Sequence, residues 1–488
     1  MQSSFNKLRC IFPEASNFFR SVRPRQARTC WNLFSVYGVL LAGALILSGR
    51  AVAGDTVLHN FTGPAADGAN AYGALIHDKY GNLYGTTKTG GTHKHGTVFV
   101  MCGPFATAPD LFPCTTGLPS WKEFILYNFK GLPANDGANP TGRLVFNGLY
   151  GGRAFTLYGT TYNGGKPNTC ASSGAQVGCG TAFELCAPSN FGGCGGVNVW
   201  KERVIHRFLG GKDGSHPFGG LITDKASDLF GTTVFGGGLG TCTGTGGGKF
   251  CGTVFRLKGQ SPWTFPELVL YRFSGGSTDG ANPYATLCCD TIFAIPFLYG
   301  TTRNGGSGSS GTVFQIKNVA GFPETILYNF CSVSGCPDGA NPYSDVIFDG
   351  SGNIYGTTAN GGANSGGIAY ELSPAGPPWN LTVLYPFCSI LGCPDGSFPT
   401  GDLVFDGSGN LYGTTAKGGS SSLGTVFILT PAGPPWAETV LNNFLGGSSD
   451  GANPFAGVTY DPPVSPTELY GVTVKAGSAS MGIVYSVP

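Results

Sequence analysis

Past residue 54, short runs of apolar and β-branched residues alternate with clusters of Gly, Asn, Asp and Pro, and the order of these runs repeats. Each block opens with Asp-Gly, at Asp67, Asp136, Asp213, Asp279, Asp338, Asp395 and Asp450. An apolar segment such as Leu403-Val404-Phe405 follows, then a turn, clearest in Asp406-Gly407-Ser408-Gly409-Asn410. Next comes Leu-Tyr-Gly-Thr-Thr or a variant, centred on Tyr84, Tyr158, Phe230, Tyr299, Tyr355, Tyr412 and Tyr470. A Gly-Gly loop leads to Gly-Thr-Val-Phe, as at Gly96–Phe99 and Gly424–Phe427. The block closes on a segment such as Trp121–Phe129, Trp200–Phe208 or Trp436–Phe444. Runs of this length and composition, bounded by turn residues, predict four strands per block. Asp78, Asp224, Asp349 and Asp406 fit the turn between the first two strands, where a short carboxylate caps backbone amides. No amphipathic helical period follows the first 53 residues.

Successive Asp-Gly starts lie 69, 77, 66, 59, 57 and 55 residues apart, which is room for a four-stranded antiparallel sheet with its loops. Seven such sheets predict an all-β, seven-bladed β-propeller, because radial packing leaves only short strand edges exposed. A linear solenoid is the rival, and the two ends decide between them. The seventh block stops after its third strand at Gly482–Tyr485, while Asp55–Phe61 carries the fourth-strand pattern. An N-terminal strand completing the last sheet closes a ring, and a linear array has no use for one. Residues 54–488 are thus expected to form one propeller.

Residues 1–53 have a different character. Seven basic residues and Glu14 accompany an apolar run from Trp31 to Leu47, and Ala51-Val52-Ala53 presents small residues where a signal peptidase cuts. This layout predicts a secretory signal over 1–53. Without it, 28 basic and 27 acidic residues become 21 against 26, so no basic stripe remains to hold nucleic acid. In an exported chain, close couples of cysteines predict disulfides: Cys102/Cys114, Cys170/Cys179, Cys186/Cys194, Cys242/Cys251, Cys331/Cys336 and Cys388/Cys393. Adjacent Cys288 and Cys289 fit no couple, since neighbouring strand residues point to opposite faces. The expected protein is secreted, extracellular or periplasmic, monomeric, and without a membrane span once the leader is removed.

In a propeller, loops from the fourth strand to the next blade share a face with the loops between second and third strands. Asp-Gly turns, Gly-Gly loops and four of the cysteine couples are therefore expected on one face, with Cys102/Cys114 and Cys186/Cys194 on the other. Braced loops on a scaffold are where binding usually sits. The seven Asp-Gly aspartates could line such a face, or could simply accept hydrogen bonds from local amides. A single site must break the seven-fold repeat. The column ahead of the first strand does so: Ala74, Arg143, Gly220, Thr286, Asp345, Asp402 and Gly457. Asp345 and Asp402 in adjacent blades, with Arg143 across the channel, are candidates for acid–base chemistry on glycosides. His93 and His95 could share a metal, although no third ligand is evident. Glu184 and Glu371 interrupt an otherwise uncharged column and read as loop-facing charges. No phosphate loop, nucleophile elbow or other cofactor motif appears, so no cofactor is expected.

These blocks resemble the Gloeo_Verruco, or choice-of-anchor GloVer, tandem repeat of exported bacterial proteins, through Gly-Asn-Leu-Tyr-Gly-Thr-Thr, Gly-Gly, Gly-Thr-Val-Phe and Glu-Thr-Val-Leu-Tyr-x-Phe. The resemblance spans about Asp55 to Tyr485 and implies export and surface or extracellular residence, but no reaction. The Gly-Gly pair and late Trp also give the blocks a kelch-like look. The expectation is an extracellular binding or interaction module, its partner a carbohydrate or a surface protein. The alternatives are a carbohydrate-active hydrolase or lyase at the channel, and a structural surface protein.

Overall fold

In the computed structural model, described residues run from 54 to 488 except 105–112, 115–117, 133, 147–155, 168–169, 173–174, 189–195, 225, 240–241, 243–249, 260–264, 290–296 and 461–467. The expected leader over 1–53 lies outside them. Seven four-stranded antiparallel sheets form the seven blades, numbered here from the block that starts at Asp67. Blade 1 holds Ile76–His77, Leu83–Thr87, Thr97–Cys102 and Lys122–Asn128. Blade 7 holds Thr459–Tyr460, Leu469–Val472 and Ile483–Val487, and its fourth strand is Thr56–Asn60. Val57 pairs with Tyr485 and His59 with Val484, so the ring closes as the terminal motifs require.

The repeated motifs have direct packing reasons. The glycine of Leu-Tyr-Gly-Thr-Thr makes room for the phenylalanine of Gly-Thr-Val-Phe: a Cβ on Gly85 would sit 2.6 Å from the Phe99 ring, and one on Gly413 2.6 Å from Phe427. The second threonine bonds the threonine of the next strand, with Oγ1–Oγ1 distances of 2.8 Å at Thr87–Thr97, Thr233–Thr253 and Thr415–Thr425. The first threonine reaches the neighbouring blade, Thr160 Oγ1 donating to Gly219 O and Thr414 Oγ1 to Ala456 O. Between third and fourth strands the register shifts in every blade, as at Val98/Phe99 and Val57/His59. Such bulges sharpen the twist that fans the blades around an axis.

The closing phenylalanine of each block is the contact between blades. Phe61, Phe129, Phe208, Phe273, Phe330, Phe387 and Phe444 are all fully buried. Each packs on the third-strand ring of the following blade: Phe99, Phe183, Phe255, Phe314, Tyr370, Phe427 and Tyr485 in turn, with centroids 4.8–5.3 Å apart. Seven equivalent contacts return to their starting point, which only a closed ring permits.

In every blade the Asp-Gly loop clasps the loop between second and third strands. Gly68–Ala69 pairs with Thr89–Gly90, and Gly137–Ala138, Gly280–Ala281 and Gly451–Ala452 pair likewise. Single bridges do the same at Ser215–Phe235, Ala340–Asn360 and Ser397–Lys417. The disulfides Cys170–Cys179, Cys242–Cys251, Cys331–Cys336 and Cys388–Cys393 staple these loops. Cys102–Cys114 staples a loop between third and fourth strands, at the opposite end of the sheet. Cys186 is disulfide-bonded, and Cys194 lies outside the described residues. Cys288 and Cys289 form a short strand paired to Tyr299 and Leu298.

Candidate functional site

The residue five positions after each block's opening aspartate reaches the axis, and there the repeats diverge. Five blades place a ring at this level: Tyr72, Phe218, Tyr284, Tyr343 and Phe455. Blades 2 and 6 place Thr141 and Thr400 instead. The rings meet across the axis, Phe218 and Phe455 at 6.1 Å, Tyr343 and Phe455 at 6.0 Å, Tyr284 and Tyr343 at 5.2 Å. All five are half-buried, so their outer faces remain in solvent. Cations lie over this assembly. Arg303 is centred 5.0 Å from Tyr343 and 5.8 Å from Tyr284, Lys88 stands 4.7 Å from Tyr72, and Lys417 stands 4.4 Å from Phe398 beside them. Burial lowers the pKa of Lys88 below that of an ordinary lysine. None of these residues stands out by a motif. The signal was the column itself, read five residues after each Asp-Gly aspartate.

Two residues further along each segment lies the column of Arg143, Thr286, Asp345 and Asp402, one layer deeper. The structure brings these candidates together. Thr286 N donates to Asp345 Oδ1 at 2.5 Å, and Asp345 N donates to Asp402 Oδ1 at 2.8 Å. Gly220 N donates to Thr286 Oγ1, so the side chains hand hydrogen bonds around the channel from blade 3 to blade 6. Arg143 Nη2 lies 3.7 Å from Asp345 Oδ2. Burial, and then the charge of Asp402, raise the pKa of Asp345 above the ordinary carboxylate range, against the pull of Arg143. Burial also raises Asp402. The cleft between the two layers encloses about 50 Å³. That is space for a few waters below the open mouth.

The seven Asp-Gly aspartates sit further out, and every one is occupied locally. One carboxylate oxygen accepts a backbone N–H from the end of the preceding blade: Thr62, Lys130, Leu209, Ser274, Ser332, Ser389 or Leu445. At Asp67, Asp136, Asp279 and Asp450 the other oxygen accepts the N–H of the following glycine. Beside these aspartates stand acids from the fourth strand of the blade that follows: Glu123 by Asp67, Glu202 by Asp136, Glu267 by Asp213, Glu324 by Asp279, Glu438 by Asp395 and Asp55 by Asp450. Two junctions add a histidine, giving the groups His59–Asp67–Glu123 and His206–Asp213–Glu267.

His93 and His95 flank Lys94, whose φ is 63°, in the loop between second and third strands of blade 1. His93 Nδ1 meets Thr92 Oγ1, and no third ligand joins the two among the described residues. Glu184 is not loop-facing. It is 1% exposed, accepts the Tyr158 hydroxyl at 3.1 Å and pairs with Arg203. The uncharged column misled because its charge is neutralised by a partner on the neighbouring strand. Glu371 accepts the Ser373 hydroxyl within the third strand of blade 5.

Among solved structures, the chain is similar to a PL25 ulvan lyase, a polysaccharide lyase bound to -[GlcA(1-4)Rha3S]-, at 9% identity and TM-score 0.46, over 88% of this chain and 95% of that one. It is similar to Penicillium chrysogenum α-L-arabinanase complexed with arabinobiose at 10% identity and TM-score 0.41, over 89% and 97%. A Dyadobacter fermentans protein of unknown function is similar at 10% identity and TM-score 0.42, over 89% and 99%. No curated protein matches the chain. The Gloeobacter/Verrucomicrobia repeat matches residues 168–390 and 297–488, and the chain belongs to this Gleo_Verruco family.

Proposed function

We propose that the protein is an exported binding module that holds a carbohydrate, and one bearing acidic groups, across the axial mouth of the Asp-Gly face. The carrying observation is the half-exposed ring assembly of Tyr72, Phe218, Tyr284, Tyr343 and Phe455 with Arg303 and Lys88 over it. Sugar rings present apolar faces that stack on aromatics, and carboxylates or sulfates favour cations set beside them. Five stapled disulfides among the described residues support export.

The test is retention on an array of neutral, uronate-bearing and sulfated glycans, paired with an assay for released sugar. Retention of acidic glycans should fall at least tenfold in Tyr343→Ala and in Arg303→Ala, with unchanged thermal stability. Equal retention by both variants would sink this reading. The second reading is cleavage at Asp345, Asp402 and Arg143, favoured because two buried carboxyls and a guanidinium meet at one level of the channel. Its mark would be sugar release lost in Asp402→Asn while retention persists.

A further inference from the structure

His206, Asp213 and Glu267 meet where blade 2 gives way to blade 3. His206 is in the fourth strand of blade 2, Lys201–Arg207; Glu267 starts the fourth strand of blade 3, Glu267–Arg272; Asp213 lies in the loop between these blades. One ligand atom from each lies within 4.8 Å of the other two. His206 Nε2 stands 3.4 Å from Asp213 Oδ1, and neither His206 Nε2 nor Glu267 Oε1 has a hydrogen-bond partner although both are buried atoms.

That spacing has a meaning for coordination. Zinc binds imidazole nitrogen and carboxylate oxygen at about 2.0–2.2 Å, so two ligands of a tetrahedral site stand ~3.4 Å apart. A hydrogen bond would draw the same atoms closer and align them. The equivalent group at the junction of blades 7 and 1 has taken that other course. His59 Nε2 lies 3.1 Å from Asp67 Oδ2, which also accepts the N–H and hydroxyl of Thr62, while Gly68 N fills Oδ1. Both oxygens of Asp67 are thus already engaged. Asp213 differs: its Oδ2 accepts Leu209 N, and its Oδ1 faces the histidine. The side chains of His206 and Asp213 are 18% and 19% exposed, enough for an ion to enter and keep a water.

We propose that His206 Nε2, Asp213 Oδ1 and the Glu267 carboxylate form a site for a divalent cation of the zinc class, completed by water, that ties blade 2 to blade 3. An imidazole with two carboxylates suits zinc and its first-row neighbours better than calcium, which prefers oxygen alone.

The experiment uses the full chain without a polyhistidine tag. It is equilibrated with zinc chloride, dialysed against zinc-free buffer and assayed for bound metal, with titration calorimetry in parallel. One zinc per chain is expected, with affinity at least tenfold weaker in His206→Ala and in Glu267→Gln, and unchanged in His59→Ala. The Glu267→Gln variant keeps the side chain's shape, so it serves if His206→Ala fails to fold. No bound zinc in the native chain, undiminished binding in His206→Ala or Glu267→Gln, or an equal loss in His59→Ala would each overturn the assignment.

Discussion

The rim and the axis of this ring are made from the same seven repeats, yet they have been treated in opposite ways. At the rim, between blades, the block returns the same group each time: a closing phenylalanine, a carboxylate satisfied by backbone amides, and in six junctions a second acid. At the axis the equivalent positions read Tyr, Thr, Phe, Tyr, Tyr, Thr and Phe, and one layer deeper Ala, Arg, Gly, Thr, Asp, Asp and Gly. What recurs in all blades serves the closure that all blades share. What differs is free to meet a ligand that has no seven-fold symmetry.

Phe273 and Tyr284 make the sharpest pair for breaking this contrast, because they stand close in one chain segment. Phe273 is fully buried against Phe314. Truncation to alanine should cost about 3–5 kcal/mol in chemical denaturation, from lost transfer energy and the cavity left between two blades. Tyr284 is half-buried at the mouth, so Tyr284→Ala should cost under ~1 kcal/mol while weakening glycan retention. If the two variants lost equal stability, rim and axis would not be separate in the sense argued here.

A smaller effect separates the two kinds of aspartate. Asp279 accepts Ser274 N at 2.7 Å and Gly280 N at 2.7 Å. Asp279→Ala strands both donors and should cost roughly 2–3 kcal/mol. At the axis, Asp345→Asn retains a carbonyl oxygen for Thr286 N and should stay within about 1 kcal/mol of the native chain. Denaturant midpoints of both variants check the pair.

How far the sequence reveals this division follows from periodicity. The blades, the closing strand Thr56–Asn60 and the stapled loops were legible, because each rests on a motif repeated with its turn residues. The meeting of Arg143, Asp345 and Asp402 was legible as a column, since equivalent positions of successive repeats come to one level around the axis of a propeller. The ring assembly was not. Tyr72, Phe218, Tyr284, Tyr343 and Phe455 look like core residues until the blades are known to bring their loops to one axis. Nor were the acid pairs at the rim, because Glu324 and Asp279 are 45 positions apart and only the turn of the next blade joins them.

Those acid pairs set the smallest and most diagnostic effect, the dependence of stability on pH. Burial, and then the neighbouring aspartate's charge, push Glu123 up to about 7 and Glu202, Glu324 and Glu438 to about 8, from an ordinary value of 4.5. A carboxyl whose folded pKa lies above its unfolded value favours the native state when protonated. Its contribution is complete below the unfolded value and is lost as pH rises through the folded one. The rim should therefore lose stability steadily between about pH 5 and pH 8. Asp349 and Asp406 oppose this at the acid end: burial works against their charge, but hydrogen bonds from their own turns outweigh it and hold them below the usual range. The denaturation midpoint should thus peak in mildly acidic solution. The axis adds Asp345 and Asp402, whose pKa values burial also raises. Replacing Glu202, Glu324 and Glu438 together by glutamine should flatten about half of the slope, because Glu123, Glu267 and Asp55 remain, while Asp345→Asn should remove only a minor part. Blade 5 supplies a control of its own, because Leu381 occupies the position of these acids, and Leu381→Glu should steepen the slope by adding one more. A profile governed by Asp345 and indifferent to the three glutamines would place the titrating acids at the axis instead of the rim.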